Sequence, residues 1–68
     1  MKMAEAKQFV GMRCEVTFLD RSGGEVTKAL DIQDVAYVPL YGAYLIADIE
    51  DVCLDRVRGI NRMTRATA

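Results

Sequence analysis

The chain contains no histidine. That removes the side chain best suited to act as a general base near neutral pH, and with it an acyl-transfer triad of the usual kind. It also leaves cysteine as the one side chain of the Cys/His kind from which structural zinc sites are built. The two cysteines, Cys14 and Cys53, lie far apart in sequence, so no zinc-ligand spacing exists and no structural metal site is expected. No secretory leader precedes them, so a cytoplasmic chain with two reduced, buried or half-buried thiols is expected rather than a disulfide. Proline occurs once, at Pro39, and the longest uncharged run, Val35 to Ala47, is 13 residues broken by Pro39 and Gly42. A bilayer span needs about 20 continuous apolar residues, so this run does not make one. No carboxylate pair sits in a recognisable catalytic pattern, and neither an enzyme nor a cofactor is expected.

What is present is apolar surface. Of 68 residues 51% are apolar, while a chain this short buries only roughly 60% of its unfolded surface. The surplus predicts a homo-oligomer, a dimer in the first instance, meeting through the Val35–Leu40 edge or a Met3–Phe9 stripe. The formal net charge is −1, so nothing global favours nucleic acid or an anionic membrane. The distribution is uneven, however. From Ala29 to Asp55 there is no Lys or Arg but six acids, Asp31, Asp34, Asp48, Glu50, Asp51 and Asp55; Arg56, Arg58, Arg62 and Arg65 then follow within ten residues.

Read for periodicity, Met3 to Val10 forms a short helix with Met3, Ala6, Phe9 and Val10 on one stripe and Gly11 as its left-handed stop. Arg13 to Leu19 alternates as a first strand with Cys14, Val16 and Phe18 inward. Asp20 to Gly24 is a hairpin loop whose two glycines are free to take positive φ. Glu25 to Ile32 is a second strand, with Val26, Leu30 and Ile32 aligned and Lys28 interrupting that face. Gln33-Asp34 marks a bend, Val35 to Val38 a further strand, and Leu40-Tyr41-Gly42 a turn. In Tyr44 to Leu54 a hairpin is expected with Glu50-Asp51 at its turn, pairing Ile49 with Val52 and Ala47 with Leu54. Leu54, Val57 and Ile60 recur every third residue, which predicts a one-turn 3₁₀ helix over residues 55–57 laying an apolar lid on the core. Asn61 and Arg62 close a last strand. The expected fold is therefore mainly β: a small, bent SH3-like or Sm-like barrel of about five strands, residues 1–62, comprising helix 3–10 and barrel 12–62, followed by a loose tail at 63–68.

Three sets of residues carry resemblances. Phe9 to Asp20 with Val57-Arg58-Gly59 resembles the helix end, first strand and Arg-Gly motif of Sm-like RNA-binding proteins. Their uridine-binding Asn has no counterpart, since Asn61 is the only asparagine. Lys28-Ala29-Leu30-Asp31-Ile32, Tyr44-Leu45 and Leu54-Asp55-Arg56-Val57, in that order, resemble the Rof family, Sm-like barrels that bind the transcription terminator Rho and oppose termination. Ala43 stands where that family commonly has an acid, and its acidic N-terminal segment is missing. A similar Tyr-Leu and Leu-Asp-Arg pattern occurs in WYL domains of bacterial regulators. The Rof resemblance implies a bacterial regulatory protein whose partner is a basic, Rho-like protein surface.

The residues themselves allow two assignments. Asp55 can cap the short turn and Arg56 can pair with a neighbouring acid, which accounts for both structurally. Asp31, Asp34 and Asp48 show no such local duty in sequence, and form the candidate face for a basic protein partner. The alternative is an oligomeric RNA-binding protein using Arg56, Arg58 and Arg62 with Tyr37 and Tyr41, against which the acidic balance weighs.

Overall fold

The computed structural model describes residues 1–63; the rest of the tail expected at 63–68 lies outside the described residues. A short helix α1 (Met3–Lys7) leads into five strands, β1 (Arg13–Leu19), β2 (Glu25–Val38), β3 (Gly42–Ala47), β4 (Asp51–Cys53) and β5 (Val57–Arg62), with a 3₁₀ turn at Leu54–Arg56. All pairings are antiparallel, in one sheet of order β4-β3-β2-β1-β5. The mainly β expectation and the strand number hold. Closure does not: β4 and β5 stand at opposite ends of the order, and the barrel is an open, bent sheet. Its β4 edge is only three residues long, and the 3₁₀ turn carries the chain from there to β5.

The helix is shorter than its apolar stripe. After Lys7 the backbone tightens into three-residue bonds, Phe9 N–H to Ala6 C=O at 3.0 Å and Met12 N–H to Phe9 C=O at 3.0 Å, and Gly11 turns at φ 87° to donate to Ile32 at 2.7 Å. Ala6 is fully buried, and Met3 and Phe9 pack on the core, so the stripe serves the chain's own interior. Val10 is left exposed.

β2 is one strand where the sequence suggested two. Its first part pairs with β1, from Leu19↔Glu25 to Arg13↔Asp31, and its second with β3, from Ile32↔Ala47 to Val38↔Gly42. Between Ile32 and Asp34 the register shifts by one, leaving Gln33 as a bulged extra residue. The bulge bends the strand and resets its alternation. Ile32 and Val35, three apart, are therefore both buried, and Asp31 and Asp34 both face solvent. β5 repeats the device: Thr17 faces Gly59 but Phe18 faces Val57, so Arg58 is extra, Val57 is buried and Ile60 packs on the core. The every-third spacing of Leu54, Val57 and Ile60 thus arises from a 3₁₀ turn at 54–56, one residue earlier than expected, followed by a bulged strand.

The β3–β4 hairpin corrects the expected register. Leu45 pairs with Val52 and Ile46 with Asp51, and across the turn Ala47 meets Glu50, its N–H donating to that carbonyl at 3.2 Å, rather than Leu54. The reversal lies at Asp48-Ile49 because Asp48 is held there on both sides: its N–H donates to the Asp31 carbonyl at 3.1 Å and its carboxylate accepts from the Asp31 N–H at 3.1 Å. The shift is an even number of residues, so Leu45, Ala47, Val52 and Leu54 keep their buried face. Only Ile49 loses its place, and it is 67% exposed. The core that results has Cys14, Val16, Leu30, Ile32, Leu45 and Leu54 as its largest fully enclosed side chains.

Candidate functional site

The three candidate acids come together at the bend. Asp31 and Asp34 share the outer side of β2, about 7 Å apart along the strand once the bulge is discounted, and Asp48 is bonded to the Asp31 backbone. Each has a local duty that the sequence did not disclose. Arg13 Nη1 donates to the Asp31 carboxylate at 2.9 Å, a half-exposed ion pair across β1 and β2. The Asp34 carboxylate accepts from the Val35 N–H at 2.8 Å, the first amide after the bulge. Asp48 clasps the hairpin as described above. Of the three, only Asp31 is neutralised by a cation; Asp34 and Asp48 face solvent with their charge uncompensated among the described residues.

The alternative set is divided between two parts of the molecule. Arg56, on the 3₁₀ turn, donates from Nη1 to the Asp20 carbonyl at 3.0 Å. Arg62, on β5, lies over the Phe9 ring with its guanidinium carbon 5.9 Å from the centroid. Arg58 is exposed at the β5 bulge. Tyr37 and Tyr41 sit on the β2–β3 hairpin, past the last β1–β2 pair, and are 65% and 71% exposed. The set is thus spread over the 3₁₀ turn (Arg56), the edge strand β5 (Arg58 and Arg62) and the β2–β3 hairpin (Tyr37 and Tyr41).

A cleft of about 510 Å³ opens between β1–β2 and β3–β4, where the sheet fails to close. Two of its charged groups pair with one another, Lys28 Nζ reaching Glu50 at 3.1 Å while lying over Phe18, and Arg56 donates to the Asp20 backbone carbonyl. The Asp20 carboxylate is the centre of the β1–β2 loop, accepting from Ser22 Oγ at 2.8 Å and from the Ser22 and Gly24 N–H groups at 2.9 Å each. The Ser22 hydroxyl first, then the loop amides, hold it below the usual carboxylate range. Only Gly23 in this loop takes a positive φ, at 86°.

Both cysteines are free. Burial pushes the Cys14 thiol up, with Arg62 opposing, which makes Cys14 a poor nucleophile. Among the described residues no three His, Cys, Asp or Glu side chains are grouped to hold a metal ion, and no helix is long and apolar enough to cross a membrane.

No protein-family model, no curated protein and no solved structure matches this chain. The likenesses to Rof, Sm-like and WYL proteins stand on their short motifs alone.

Proposed function

We propose that the chain is a small non-catalytic adaptor that binds a basic protein surface through the acidic side of its bent sheet. The observation that carries this reading is the gathering of Asp31, Asp34 and Asp48 at the β2 bulge, on a stretch from Ala29 to Asp55 that contains no cation. An acidic surface raises the encounter rate with a basic partner and rejects acidic ones, nucleic acid included. The Rho-type partner implied by the Rof resemblance belongs to this class. An RNA-binding role for Arg56, Arg58 and Arg62 is the competing reading.

One double substitution separates them. Asp31→Lys with Asp34→Lys reverses two exposed charges, and a circular-dichroism melt checks that the fold survives. Binding of the parent to purified Rho and to single-stranded RNA is then measured across a salt series. On the adaptor reading the parent binds Rho, and the double variant loses tenfold or more of its association rate at low salt, with a smaller loss at high salt. Tighter RNA binding by the variant, together with weakening by Arg58→Ala, supports the RNA reading instead. A parent that binds neither overturns Rho and RNA alike as partners.

A further inference from the structure

The tip of the β2–β3 hairpin is built in a way that the fold alone does not require. Leu40 is 99% exposed, yet its backbone lies at φ 75°, the left-handed region that glycine and asparagine accept and a branched, bulky residue resists. Within the chain, a leucine here gains no packing and strains the turn. Its neighbours are of the same kind: Tyr37, Val38 and Tyr41 are exposed apolar side chains, and no charge occurs from Val35 to Ala47. Tyr37 stands on the same side of the strand as the buried Val35, so the apolar face of the hairpin continues past the point where the core ends. Beyond Ile32, β2 has a strand partner on one side only among the described residues.

We propose that this tip is a self-docking surface, occupied by the same tip of a second copy of this chain across a two-fold axis. Charge selects the occupant. An uncharged surface is matched by another uncharged surface, and the exposed Met12 and Ile49 elsewhere on the molecule adjoin Arg13 and Asp48-Glu50 respectively. A tip-to-tip arrangement also keeps the acids at the base of each hairpin apart, because Asp34 lies six residues from Leu40, about 20 Å along an extended strand. Area sets the strength. Two tips offer four tyrosines, each about two-thirds exposed, or roughly 400–650 Å². The leucines, valines and prolines bring the total to roughly 1,000 Å², the threshold of a specific interface and short of a permanent one. The dimer is therefore weak and concentration-dependent, and the one-sided β2 edge allows antiparallel strand pairing across the axis.

Sedimentation velocity on the intact chain, from low to high micromolar concentration, tests this. The parent shifts from monomer to dimer with concentration. Leu40→Asn relieves the backbone and removes the apolar contact, so it raises the melting temperature of the dilute chain while weakening association tenfold or more. Tyr37→Ser with Tyr41→Ser weakens association comparably with little change in melting, and Val10→Ser leaves association unaltered. The Asp31→Lys, Asp34→Lys variant still dimerises, which separates this surface from the acidic one. A parent that stays monomeric at high micromolar concentration overturns the proposal. So does a dimer that survives the tip substitutions, or a Leu40→Asn chain that gains stability and associates as before.

Discussion

The two halves of the bent sheet are made from opposite kinds of sequence. The half formed by β5, β1 and β2 up to Asp31 has charged or polar outward positions, with Cys14, Val16 and Phe18 inward between Arg13, Glu15 and Thr17. The half formed by β2 beyond Ile32, β3 and β4 has uncharged side chains on both sides for much of its length, and no cation at all. In the first half, solvent and core are distinguished by residue type. In the second they are distinguished only by how far the core extends: Val35 is buried and Tyr37, on the same side, is exposed. An apolar residue in a strand therefore reports burial only where its alternate neighbours are polar.

The comparison can be broken most forcefully where the halves are tied together. Besides β2, the 3₁₀ turn is the covalent link between β4 in one half and β5 in the other, and its Leu54 and the following Val57 are buried. Leu54→Ala is expected to cost about 2–4 kcal/mol, and Val57→Ala somewhat less. In a domain of this size the first is enough to unfold much of the population, read as a lost or strongly lowered thermal transition. If both variants melt within a few degrees of the parent, the halves do not share one core.

A smaller effect is expected from Asp48→Ala. Its carboxylate joins the β3–β4 reversal to the Asp31 amide at the bend, and removing one hydrogen bond of this exposed kind costs about 1 kcal/mol. The same change frees the hairpin to adopt the alternative turn at Glu50-Asp51. Faster amide exchange at Asp31 and Ala47, with β1 amides unaffected, would show that the clasp acts on the bend and the distal half and not beyond them; equal acceleration in β1 would show that it acts beyond them.

The smallest effect concerns pH and belongs to the first half. The Asp20 carboxyl is held low by the Ser22 hydroxyl and the loop amides, so it binds protons less readily folded than unfolded. Its contribution is present above the ordinary value of 3.8 and is lost as pH falls through the depressed folded value. Asp20→Asn should accordingly flatten part of the decline in melting temperature at acid pH. An unchanged acid limb would assign that decline to other carboxylates.

Much of this fold was legible in sequence because outward positions of the first half are polar. The alternation from Arg13 to Leu19 marks both the extent of β1 and its inward face, and Asp20 to Gly24 marks the loop after it. The register of the β3–β4 hairpin was not legible, because the anchor that decides it, Asp48 on Asp31, joins residues 17 apart in sequence. The duty of Asp31 escaped for the same reason, since Arg13 meets it only once β1 lies beside β2; that of Asp34 is local but depends on the bulge, where its carboxylate accepts from the next amide. A signal for both bulges was nevertheless present. Ile32 with Val35, and Val57 with Ile60, are apolar pairs spaced by three inside strands, where regular alternation gives two. The expected bend at Gln33-Asp34 is made by the first extra residue, and the second, Arg58, follows the expected 3₁₀ turn, which lies at Leu54–Arg56.

Gln33 shows what such a residue is for. Deleting it would make β2 more regular by every local measure, since Ile32, Asp34 and Val35 would then alternate without interruption and every side chain downstream would keep its side. The strand would also run straight. The distal hairpin would no longer swing over the interior, and the apolar face of a flat five-stranded ribbon would lie open beside its unpaired edges, the configuration from which sheets stack and precipitate. In this chain the irregularity is what turns one strand into a member of both halves of the sheet.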